Sequence, residues 1–213
     1  MDDIFKLYSK LETLNVSRET FLDLEHFTNM VLEKNKQINI FSRKTSDNID
    51  IRERHIIDSA QVIDFIDLNS KNITDIGAGG GMPGVVAAII IKNMKNNTKI
   101  NLYEKSHHKS SFLREVSRKL KLNIEVFEKN IFEVKKIETG TIMSRAFKPM
   151  PVVLDLVYKN FSSFNNLILF MGENGKKILK ETLADWDLEF TEKKSITNED
   201  SFLLNIKKIK KKN

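Results

Sequence analysis

The residues best able to do chemistry lie in one ten-residue stretch, Asp75-Ile76-Gly77-Ala78-Gly79-Gly80-Gly81-Met82-Pro83-Gly84. Glycines in such a cluster let the backbone turn sharply and approach a ligand closely. Pro83 suits a first helical turn, where a missing N–H costs nothing. Gly79, Gly81 and Gly84 satisfy the G-x-G-x-x-G dinucleotide fingerprint, but that register starts two residues after the strand-like run ends at Ile76. Asp75 separates the possible ligands. Its carboxylate would repel a pyrophosphate and attract the ammonium of S-adenosylmethionine, whose sulfonium tolerates nearby negative charge. Glu104, at the end of the next apolar run, is placed to accept hydrogen bonds from both ribose hydroxyls of a nucleoside, which fits either ligand.

Further candidates surround this turn. Arg145 follows the fourth strand-like run, and its planar guanidinium can stack on a base or grip a phosphate or carboxylate. His55 and Asp58 are three apart on one helical face and can form one hydrogen-bonded unit. Phe147 and Lys148 pair an aromatic ring with a cation, a combination suited to an RNA base. His107 and His108 flank a helix and have no acidic partner at metal-ligand spacing, so no metal is expected. The chain has no cysteine, which excludes disulfides, thiolate zinc sites and any cysteine adduct.

Several segments resemble one bacterial family. Arg54-His55-Ile56-Ile57-Asp58-Ser59 resembles the R-H-I-L-D-S motif of the RsmG (glucose-inhibited division protein B) ribosomal RNA guanine-N7 methyltransferases. The glycine turn resembles that family's D-x-G-x-G-x-G-x-P-G. Phe112-Leu113-Arg114 and Ser144-Arg145-Ala146-Phe147 resemble its F-L-R and S-R-A-F motifs. Asn29-Met30, Asn35-Lys36, Asn39 and Ser42 are similar to its N-terminal region, and the likeness runs over residues 21–207. Two positions depart from the pattern: Met171-Gly172 replaces a common lysine-glycine pair, and Asp200-Ser201 stands where an arginine is common. The resemblance implies a class I, Rossmann-like methyltransferase with a seven-stranded, mostly parallel sheet. It implies S-adenosyl-L-methionine as donor and a guanine of 16S ribosomal RNA, or of the small ribosomal subunit, as acceptor. By position it implies cofactor contacts at Gly77, Met82, Ile131, Phe132 and Arg145, which join Asp75, Gly79 and Glu104 from the turn. Arg145 is then a positioning group with no general base beside it. His55, Asp58, Phe147 and Lys148 become candidates for the RNA.

The elements that must position these residues can be read from periodicity. Ile4, Leu7, Tyr8, Leu11 and Leu14 mark one helix; Ser17 caps a second carrying Phe21, Leu24, Phe27, Thr28 and Val31. A polar link at 42–50 precedes a third helix over 51–66. From residue 73 strands alternate with helices: strands at 73–76, 99–104, 124–127, 141–144 and 167–171, helices from Pro83 and at 107–121, 151–159 and 175–184. Such repetition demands a mostly parallel sheet covered on both faces. Runs at 186–191 and 202–207 close the chain as an edge hairpin. The division expected is a helical extension at 1–70, a methyltransferase domain at 71–207 and a basic tail at 208–213.

Charge says less than it first suggests. The formal net charge is +6, but Lys207, Lys208, Lys210, Lys211 and Lys212 supply five of those charges. Without them thirty basic residues face twenty-nine acidic ones. The tail reads either as a phosphate-seeking arm or as a solvated end. The start lacks the pattern of a secretory leader, and the longest apolar run, 85–91, is too short to span a bilayer. A cytoplasmic monomer without membrane association is the expectation. Two other functions stay open: an NAD-linked oxidoreductase, which Asp75 opposes, and a non-catalytic RNA-binding module, which the intact turn, Glu104 and Arg145 oppose.

Overall fold

The computed structural model describes residues 3–14, 16–40 and 48–212. The 42–50 link falls mostly outside them, as does Ser42. Strands β1 (Asn72–Ile76), β2 (Lys99–Tyr103), β3 (Ile124–Phe127), β5 (Thr141–Ser144), β7 (Asn166–Met171), β8 (Trp186–Lys194) and β9 (Phe202–Lys211) form one sheet in the order β3-β2-β1-β5-β7-β9-β8. Pairing is parallel from β3 to β7, and β9 runs antiparallel to both β7 and β8. The order reverses beside β1, so the ends of β1 and β5 diverge and leave a crevice where a ligand can lie. Strands β4 (Ile137–Glu138) and β6 (Phe161–Ser163) add a small parallel ribbon that no periodicity announces.

Each central strand is apolar on both faces, because helices cover both. Along β7, Ile168 and Phe170 face one core while Leu167, Leu169 and Met171 face the other. The first core takes α5 (Gly84–Asn93), α6 (His107–Lys119) and the N-terminal helices. Helix α5 is buried from Gly84 to Ile91, as its unbroken apolar run requires. The second core takes α7 (Met150–Asn160) and α8 (Gly175–Thr182), with Trp186 buried in it.

The N-terminal region departs from simple helices. Helix α1 (Asp3–Leu7) gives way to a 3-10 turn at Ser9–Leu14, and α2 runs Arg18–Asn35. Ser17 is the N-cap of α2 but makes no side-chain cap bond. Glu25 ties the segment together, accepting from Tyr8 Oη at 3.0 Å and from Arg52 Nη2 at 2.8 Å. The expected helix at 51–66 is segmented: α3 (Asn48–Ile51), a π-helix at Arg52–Ile57, α4 (Asp58–Ala60) and a 3-10 turn at Gln61–Asp64.

The C-terminus corrects the expectation of a basic tail at 208–213. Strand β9 continues to Lys211, and Lys212 N–H donates to Asp185 O at 2.9 Å. The lysines are tolerated because of what opposes them. Lys210 lies across from Asp187 and Lys208 from Glu189, and opposite charges across an antiparallel pair are favourable. Lys211 reaches Asp155 at 3.7 Å and lies over the Trp186 ring at 5.6 Å. Deleting residues 207–213 should therefore strip β8 of half its partner strand and lower the melting temperature by several degrees. A truncated chain that melts like the full one would restore the tail as a free arm.

Candidate functional site

The glycine turn leaves β1 at Ile76 and is tied to β2. Gly77 N–H and Ala78 N–H both donate to Tyr103 O, at 2.9 and 3.0 Å. Gly77, Gly79 and Gly81 have φ of 72°, 55° and 95°, a region open to glycine and costly for other residues. At Gly77 space matters as much: a Cβ there would overlap the Phe147 ring. At Gly79 a Cβ would meet only Gly77 O at 3.8 Å, so that side of the turn stands open. Glu104 stabilises the loop from beneath. Its Oε2 accepts from Gly79 N–H at 2.9 Å and its Oε1 from Ser106 N–H at 2.7 Å.

Asp75 does not play the part its sequence position suggested. Strand alternation turns its side chain to the same face as Ile73, under α5, and it is 1% exposed. Oδ2 accepts the Gly84 N–H at 2.8 Å, so the carboxyl caps the start of α5. Burial, with the Glu104 charge adding to it and the Gly84 bond opposing it, pushes its pKa up to about 7. Asp75 holds the turn in shape from behind the cavity's lining.

That cavity holds about 640 Å³ beyond the ends of β1, β2 and β5. Gly77, Gly79, Met82, Glu104, Ile131 and Phe132 line it, together with His55, Arg145, Phe147 and Lys148. All but two of the residues expected at the site thus share one wall; Asp75 and Asp58 lie behind it. Ile131 and Phe132 arrive on a 3-10 turn, Ile131–Glu133, that Asn160 holds. Its Nδ2 donates to Ile131 O, Phe132 O and Val134 O at 3.2, 3.1 and 2.7 Å. An asparagine at a helix end carries no sequence signal for such a role. Phe132 and Phe147 stack with ring centroids 5.9 Å apart.

Arg145 joins the two most distinctive motifs. Its Nη1 donates to His55 O at 3.2 Å and Ser59 Oγ at 3.1 Å, and its Nη2 donates to Arg54 O and meets Asp58 Oδ2 at 3.1 Å. Widening the helix to π geometry at Arg52–Ile57 supplies carbonyls for these bonds; π-bulges often mark functional sites. One guanidinium face lies 5.2 Å from the Phe170 ring. Burial works to lower the Arg145 pKa and Asp58 works against it. Arg145 therefore clamps the wall; its planar face is taken by Phe170 and its forks by the helix. Asp58 is likewise committed, because Oδ1 accepts from Gln61, Ser195 and Thr197. Both of its oxygens are thus engaged within the protein. His55 stands on the cavity wall, and burial, then the Arg145 and Arg54 charges, push its pKa down to about 4.

Three lysines that the sequence did not single out complete the rim. Lys105, Lys109 and Lys129 line the cavity with Lys148. Among the described residues none of the four is in an ion pair. No cluster of described residues could hold a metal.

The cavity fits an adenosine-type cofactor. Each Glu104 oxygen keeps a lone pair for a ribose hydroxyl, Met82, Ile131 and Phe132 give apolar walls, and Gly79 leaves backbone room. Sheet order, glycine turn and cavity together define a class I methyltransferase, with S-adenosylmethionine as its donor. A solved S-adenosylmethionine-dependent methyltransferase from Aquifex aeolicus shares the fold, with a TM-score of 0.52 and 13% identity over 70% of this chain and 88% of that one. The family model for rRNA small subunit methyltransferase G matches residues 21–204, and the chain belongs to that family. The ribosomal RNA small subunit methyltransferase G of Pelagibacter ubique is 64% identical over 213 residues, all of both chains. Its namesake from a Ruegeria species is 31% identical over 93% of this chain and 95% of that one.

The buried Asp75 gives a pH signature. Its folded pKa lies above its unfolded value near 3.8, so the folded chain holds the extra proton and loses stability as pH rises from about 4 to about 7. Asp75→Asn removes this loss. The melting temperature of the variant relative to the native chain should climb across that window and level off above it. A difference independent of pH would contradict the burial of the carboxyl.

Proposed function

We propose that this chain transfers a methyl group from S-adenosylmethionine to N7 of a guanine in 16S ribosomal RNA. One observation carries the choice of a nucleic-acid substrate: Lys105, Lys109, Lys129 and Lys148, none in an ion pair among the described residues, line the donor cavity. A cofactor with a net positive charge does not call for so many cations; the phosphates of a strand laid across the mouth do. The names of the matched relatives, which specify small-subunit ribosomal RNA, support the same substrate.

The cavity's chemistry supports N7. When bound, the cofactor supplies an electrophilic methyl on a sulfonium. Guanine N7 carries a lone pair and no proton, so the site needs alignment and contact more than base catalysis. The donor-cavity wall offers little base strength: His55 is pushed down to about 4, and both Glu104 oxygens are engaged by backbone N–H groups. Both oxygens nonetheless face a ribose, while Phe147 and Phe132 close the apolar side. The proposed substrate, small-subunit ribosomal RNA, supports a cytoplasmic location. No helix among the described residues is long and apolar enough to cross a membrane.

Labelled S-adenosylmethionine incubated with the protein and unmodified small-subunit RNA, naked and assembled, tests this directly. Nucleoside digestion should return the label as 7-methylguanosine at one position. Label in another nucleoside, or none in either substrate, would overturn the assignment.

A further inference from the structure

A second cavity of about 310 Å³ opens beside the donor cavity, at the ends of β5 and β7. Ala146, Phe147 and Lys148 line both and form the partition between them. Its volume lies at the small end of ligand sites, suited to one ring system more than to a whole nucleotide. Phe147, Met150 and Met171 give it an apolar wall on the side of the second core. Phe170, which packs toward the first core, borders it, with the Arg145 guanidinium 5.2 Å from its ring. Among the described residues, the side chains of Ser144, Lys148, Glu173 and Asn174 line it without a hydrogen bond or ion pair. Ser144 is 4% exposed and Glu173 stands exposed at the rim.

We propose that this second cavity receives the acceptor guanine, and that Glu173 selects it by accepting from N1–H and the exocyclic N2 amino group. The inference rests on the guanine-N7 function proposed above. Chemistry fixes the orientation. A carboxylate matches the two adjacent donors on the Watson–Crick edge of guanine, whereas adenine presents a lone pair at N1 and would be repelled. Glu173 lines the second cavity only, and the partition at Ala146–Lys148 lies toward the donor. A guanine held at Glu173 by its N1–N2 edge therefore turns its opposite edge, which carries N7, to the partition and the methyl group beyond. Ser144 Oγ–H remains free to donate to O6. The base leaves its stack to enter, and stacking against Phe147 offsets that cost.

The test uses the full-length protein and small-subunit RNA carrying either guanine or inosine at the modified position. Inosine keeps N7, O6 and N1–H and lacks only the N2 amino group. The native chain should methylate inosine at least about tenfold more slowly in single turnover, the scale for an unmet charge-assisted hydrogen bond. Glu173→Gln and Glu173→Ala should slow transfer to guanine by a similar factor and bring the guanine-to-inosine ratio close to one. Both should keep native affinity for S-adenosylmethionine, measured by calorimetry, which separates a recognition defect from misfolding. Variants that still prefer guanine as strongly as the native chain would overturn the assignment of Glu173 while leaving the function intact. Absence of 7-methylguanosine with the native chain would instead overturn the function, and this pocket with it.

Discussion

The site depends on one buried cation. Arg145 spends its guanidinium on two helix carbonyls, a serine hydroxyl and the Asp58 carboxylate, and rests a face on Phe170. A charge taken this far out of water is tolerated only when its hydrogen bonds are met. The π-helix meets them with the Arg54 and His55 carbonyls, and the His55 carbonyl accepts the Asp58 N–H as well. A regular helix over the same residues would keep those oxygens to itself. The irregularity in the N-terminal region and the arginine after β5 are two halves of one interaction.

From that clamp both cavities follow. His55 is set on the donor wall, where burial first and then the Arg145 and Arg54 charges hold its pKa down to about 4. Phe170 is fixed as a wall of the second cavity. Asp58 extends the network to the hairpin between β8 and β9 through Ser195 and Thr197, so the C-terminal strands are fastened to the same point. The glycine turn is built by a separate device, with Asp75 capping α5 and Glu104 holding Gly79. The two constructions meet at the cavity of about 640 Å³.

Much of this was legible from residue order. The glycine turn and the alternating strands and helices could be read because they rest on local spacing, and a shared site for the two short motifs followed from the family resemblance. Asp75 misled for a physical reason. A strand residue next to a ligand loop points to one of two faces, and only packing decides which; here it faces α5. The π-helix has no period that apolar spacing records, since its apolar residues match an ordinary helix. Lys207 to Lys212 looked like a solvated end because composition hides pairing; the clue lay on another strand, in Asp187 and Glu189. Lys105, Lys109 and Lys129 are scattered in sequence and converge only in the fold.

The clamp is tested most directly by measuring S-adenosylmethionine affinity and melting temperature together for Arg145→Lys. Lysine keeps the charge but cannot satisfy four acceptors from two forked nitrogens. Losing buried charge-assisted bonds costs roughly 1.5–3 kcal/mol each, and in a chain of this size each kcal/mol moves the midpoint by about 2–4 °C. The account predicts a melting temperature lower by several degrees and cofactor affinity weakened at least about tenfold, because the donor wall is released. A lysine variant that melts and binds the cofactor like the native chain would contradict it.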